Sequence, residues 1–201
     1  GFVTPAFIDA HSHIGMDREG EPTQEAEVND YTNQIRPLND PLNSIYFDDR
    51  AFKDAVDFGV LYSCVIPGSG NLIGGRAMII RNYAKNRDSA FIKDYGFKMA
   101  LGFNPRSTTE WKGERSNTRM GVYALLEKKF DDLLIKKEKA SLSREKKLIE
   151  LNQKKKDKKL TKKEFEAERK IIEKEFELEF NSEEKAILEL LSGRKTAKVH
   201  V

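Results

Sequence analysis

The sequence predicts an α/β fold with a helical hairpin inserted into it. Up to about residue 135, short apolar runs alternate with segments rich in Gly, Pro, Asn and aromatics. Near residue 136 the composition changes, and Lys and Glu dominate until about residue 185. An apolar run at 6–8 leads into Asp9 and two histidines one residue apart, His11 and His13. On a strand, alternate side chains share a face, so both imidazoles point the same way. Such a pair at a strand end is suited to a divalent transition metal.

Each element follows from local pattern. Residues 2–14 read as a lead-in and a buried strand. Residues 15–46 carry Gly, Pro, Asn and Asp at short intervals and read as a long loop. Ala51, Phe52, Ala55 and Val56 have helical spacing within 47–58, and Gly59 stops that helix. Residues 60–66 form an apolar run between Gly59 and Pro67, the pattern of a strand buried on both faces. The glycine-rich stretch 67–75 is either a structural turn or a phosphate cradle; it lacks the Lys-Ser/Thr of the latter. Short strands are expected at 77–80 and 97–101. The alternation implies a parallel sheet, with ligands at the strand C-termini. Ser116 or Asn117 is placed to cap a helix through Tyr123, Leu126, Phe130 and Leu133. Residues 142–151 and 165–180 read as two helices of an antiparallel, coiled-coil-like hairpin, and Thr161 with Glu164 offers a capping box for the second. A helix from Ser182 to Gly193 and a strand at 196–201 bearing His200 complete the chain.

Bulk properties narrow the function. The 201 residues suffice for one ordinary domain. Lys and Arg number 36 against 33 Asp and Glu, so no global charge favours nucleic acid, and glutamates interleave the lysines of the hairpin. No apolar run reaches the roughly 18–20 residues that span a bilayer. The single cysteine, Cys64, reads as a buried hydrophobe and fits a reducing, cytoplasmic setting. The chain begins at Gly1, which suggests a processed or trimmed product.

Five stretches, in order, resemble the amidohydrolase superfamily, in particular its imidazolonepropionase-related and prolidase-like members. They are 3–15 (Val-Thr-Pro-Ala-Phe-Ile-Asp-Ala-His-Ser-His-Ile-Gly), 67–75, 96–105, 116–121 and 198–201. The first is specific, and the others gain weight as an ordered set. The resemblance implies a partial (β/α)8 TIM-type barrel formed by 1–135 and 183–201, with 136–182 as an inserted α-helical hairpin arm. It also implies metal-dependent hydrolysis of C–N bonds, in non-peptide amides or dipeptides, with a divalent metal, zinc first among them. His11 and His13 match the strand-1 ligands, and His200 matches the strand-5 histidine. Lys98 is the candidate bridging ligand. Arg119 is a candidate anchor for a substrate carboxylate, or else a helix-start ion pair. Asp9 orients the histidines or caps the strand end. Relatives read Gly-Glu-Asn-Pro where this chain has Gly102-Phe103-Asn104-Pro105, so their carboxylate ligand is replaced by Phe103.

A complete barrel takes roughly 250 residues. The chain is therefore expected to be the N-terminal portion of one, inactive alone. The strand-6 histidine and strand-8 aspartate that the resemblance implies are not among its residues. Unpaired edges and an exposed interior then lead to self-association or a rearranged packing. The alternative is a degenerate amidohydrolase acting as a binding or scaffold module through the hairpin.

Overall fold

The structure is a computed structural model and describes residues 1–201 apart from 19, 23–24, 108–114 and 158. The chain divides into two compact units, Gly1–Leu125 with Glu189–Val201, and Leu126–Leu188.

The first unit is an α/β structure built on one five-stranded sheet. Its strands are β1 (Phe7–Ser12), β2 (Val60–Val65), β3 (Ile73–Arg81), β4 (Phe91–Ala100) and β5 (Thr196–His200), in that spatial order. β1 pairs with β2 and β4 with β5 in parallel, while β3 is antiparallel to both its neighbours. The expected all-parallel sheet is thus corrected to a mixed one. The reason is connection length. A parallel crossover needs a dozen or more residues, but only the short loop before Ile73 separates β2 from β3. The chain therefore turns straight back, and β3 is longer than the expected 77–80. The four remaining strands run in one direction, so their C-terminal ends share a rim.

The sheet is curled into a half-barrel. β1 and β5 are its outermost strands, yet the rings of His11 and His200 lie 5.9 Å apart. Two apolar clusters occupy its faces. Val65, Met78 and Ile80 pack with Met16, Leu42, Phe52 and Ala90 on one side. Cys64, Ile66 and Ala77, which alternate with them along the strands, pack on the other. Phe52 comes from α1 (Arg50–Asp57), whose first turn is capped by the Asp49 carboxylate accepting the Ala51 amide. The helix stops at Gly59, where φ is +82°. β1 was expected to be buried, but Phe7 and Ile8 are exposed, because β1 is an edge strand. Two short helices, α2 (Arg87–Ala90) and α3 (Asn104–Ser107), flank β4.

The 67–75 stretch is a structural turn that clamps the long loop. Gly68 and Gly70 donate their amides to the Val28 carbonyl and Asn29 Oδ1, and buried Asn71 donates to the carbonyls of Asp30 and Asn33. A Cβ on Gly68 would fall 2.5 Å from Asn29 Oδ1, so a larger residue would have to displace the Asn29 side chain that accepts the Gly70 amide.

The second unit is helical. α4 (Arg119–Lys156) enters it, α5 (Lys162–Leu178) runs antiparallel to α4, and α6 (Ser182–Leu191) leaves it. Ion pairs Lys136–Glu184, Arg144–Glu173, Lys147–Glu175 and Lys154–Glu168 progress in opposite directions along the two segments. Leu133, Leu151, Phe165 and Phe180 are buried. α4 is one continuous helix, not the two segments expected, since no Gly or Pro interrupts 122–192. Its cap is Thr118, whose Oγ1 accepts the Gly121 amide, rather than Ser116 or Asn117. The Thr161–Glu164 capping box is present.

Candidate functional site

The site lies in the first unit, on the shared rim where parallel strands end. His11 lies on β1 and His13 is the first residue past its end, and their rings meet edge-on at 5.5 Å. His200 closes β5 and approaches His11 from the other edge. β4 contributes Lys98, which is in register with Lys198 of β5 as Ala100 is with His200. Lys98 is 1% exposed, and its Nζ lies 3.5 Å from His11 Nε2.

Hydrogen bonds settle the state of these groups. His13 Nδ1 lies 2.8 Å from the Ile66 carbonyl oxygen. A carbonyl only accepts, so Nδ1 carries the proton and Nε2 of the neutral ring keeps its lone pair. Burial lowers the pKa of His13 below 6.5, against the Ile66 hydrogen bond, which raises it. His11 is lowered too, by burial and then by the nearby Lys98 charge. Burial pushes Lys98 down to about 8, helped by the Lys198 charge beside it. Near neutral pH this favours the uncharged form of the His11 and His13 imidazoles, the state that binds metals and accepts protons, beside a Lys98 that is still largely an ammonium.

Asp9 accepts the backbone amide of His11 at 3.0 Å. It caps the strand end rather than orienting an imidazole ring. Phe103 is 70% exposed and lines, with His200, a shallow cavity of about 120 Å³. Arg119 is the exposed first residue of α4, and among the described residues it forms no ion pair. Cys64 is buried, and burial raises its thiol pKa. Lys198 escaped the sequence reading, although it precedes His200 by two residues and so shares its face.

The donor set fits a metal in chemistry but not in completeness. His13 presents a free Nε2, with its other nitrogen held by a carbonyl in the manner of a ligating histidine. Among the described residues, however, no three of His, Cys, Asp or Glu are grouped to hold an ion. Phe103 offers no ligand to this rim, and the Lys98 amine stands 3.5 Å from His11 Nε2.

No family model matches the chain. Over 131 residues it is 26% identical to amidohydrolase tasK of Hapsidospora irregularis, covering 59% of this chain and 13% of that protein. The crystal structure of an amidohydrolase from Thermotoga maritima MSB8 superposes on 98% of this chain with a TM-score of 0.69, at 24% identity. That match carries the fold, and it covers 45% of the Thermotoga chain. The chain thus spans less than half the length of either relative. Together the two comparisons support a relationship of amidohydrolase type. Among the described residues no helix is long and apolar enough to cross a membrane.

Proposed function

We propose that this chain forms the first half of a TIM-type catalytic barrel in a metal-dependent amidohydrolase of the imidazolonepropionase-related or prolidase-like kind. The substrate is a small molecule with a C–N bond, a non-peptide amide or a dipeptide. The observation that carries this reading is the convergence of His11, His13 and His200 at one rim, with His13 Nε2 unprotonated. In a completed centre these three would contribute nitrogen ligands to a divalent metal, zinc among those suited to imidazole, and Lys98, if carboxylated on Nζ, is the candidate bridging ligand. A metal there would supply a Lewis acid for the scissile carbonyl and a water of near-neutral pKa.

The chain's own residues prepare that centre. The Ile66 carbonyl fixes the His13 tautomer. Asp9 holds the β1 terminus, and so the backbone carrying His11. Arg119 is the candidate anchor for a substrate carboxylate. Such a centre needs further ligands and a general base besides these residues. The chain's open strand edges make it self-associate when isolated, and 136–182 is an insertion in the barrel formed by the flanking segments.

Metal analysis of the full-length gene product, with turnover on a panel of cyclic amides and dipeptides, tests the proposal. We expect bound zinc, lost together with activity in His11→Asn and His13→Asn. A metal-free product with no turnover on any panel member overturns it.

A further inference from the structure

No backbone ladder joins β1 to β5, since they stand at opposite ends of the sheet order. The curl of the sheet brings them near each other at His11 and His200, but no ladder fixes their separation there. Among the described residues, one hydrogen bond runs from β5 to β1: Lys198 Nζ donates to the carbonyl oxygen of Ala10, the residue before His11. Ala10 falls where the β1–β2 register is interrupted, between the paired residues Asp9 and Ser12. The segment that carries His11 is thus weakly held from the β2 side and is tied from the β5 side.

The identity of Lys198 suits this task. It is half-buried and stands on the face of His200, two residues before it. Its neighbour across the ladder is Lys98, a like charge, and no carboxylate pairs with Lys198 among the described residues. The side chain extends past the Tyr95 ring, with Nζ 5.9 Å from the ring centre. An ammonium beside another cation gains by turning towards a carbonyl dipole, and only Lys or Arg has the reach.

We propose that Lys198 is a positioning residue that straps β5 to β1 through the Ala10 carbonyl and so sets the separation of His11 and His200. This rests on the reading of those histidines as one site, but the strap can be tested without metal or substrate. NMR spectra of the chain as it stands are expected to show an NOE between Lys198 Hε and Ala10 Hβ protons, and another between the His11 and His200 rings. Lys198→Met keeps the stem and removes the donor, so the ring-to-ring NOE disappears while the amide spectrum of β2–β4 is retained. Lys198→Arg restores it. Should Lys198→Met not fold, Lys198→Gln, too short to reach Ala10, makes the same comparison. An undiminished ring-to-ring NOE in the substituted chain overturns the proposal, as does absence of the Lys198–Ala10 NOE in the unsubstituted one. Failure to bind zinc would defeat the hydrolase reading and leave both NOEs in place.

Discussion

The amine of Lys98 stands 3.5 Å from Nε2 of His11, on a residue 1% exposed and with no carboxylate paired to it among the described residues. An ammonium so placed loses its hydration without gaining a counter-charge. Its pKa falls to about 8 from 10.5. Between those values the unfolded chain holds a proton that the folded chain has released, so stability rises with pH across the window. Below about 8 the penalty is present in full. Lys98→Met should therefore stabilise the isolated chain at pH 7 by on the order of 1–3 kcal/mol. The gain should shrink above pH 8, measured by urea denaturation at several pH values.

His13 gives the opposite end of the pH profile. Its pKa lies below 6.5 in the folded chain. As pH falls through 6.5 the unfolded chain takes up a proton first, and stability declines until the folded pKa is passed. Nitrogen-15 NMR should show the Nδ1–H tautomer at pH 7.5, donated to Ile66. A His13→Asn chain should lose part of the acid-side slope.

Gly96 should tolerate nothing larger. A Cβ there would fall 2.1 Å from the Thr196 carbonyl oxygen, a backbone atom that cannot step aside. Gly96→Ala must prise β4 from β5, so a loss of about 3 kcal/mol or more is expected by denaturation. Gly20→Ala is the control. It meets no atom within 4 Å but has φ of +86°, so its cost should be only about 1 kcal/mol.

In the helical unit, Thr161→Ala removes the acceptor for the Glu164 amide and one half of the capping box. The start of α5 should be weakened by about 1 kcal/mol. Hydrogen exchange at Glu164 and Phe165 should accelerate, while exchange in β2–β4 stays unchanged.

Much of this was legible in the chain itself, and the failures have physical causes. The second strand showed as an apolar run between Gly59 and Pro67, and α5 showed through Thr161 and Glu164. The direction of β3 was also written there, in a connection too short for a crossover, but strand-like segments alone suggest parallel pairing. The exposure of β1 was not legible, because an edge position depends on what lies beside a strand, and apolar content does not report that. The three histidines could be picked out individually. Their convergence depends on a curl that brings the first and last strands together, a property of the whole sheet. Lys198 was hidden for the same reason: its partner is a backbone oxygen 188 positions away.

The placement of the helical unit between β4 and β5 in the chain also has a kinetic consequence. Those two strands are neighbours in the sheet, yet the chain joining them runs from Leu101 to Lys195. Removing Leu126–Leu188 would leave roughly a third of that loop, and the closure entropy at stake is only about 1 kcal/mol. The helices form from contacts close in sequence and should be fast, whereas β5 must find β4 across the entire loop. The last event in folding is then the arrival of β5, and His200 joins His11 only at that step.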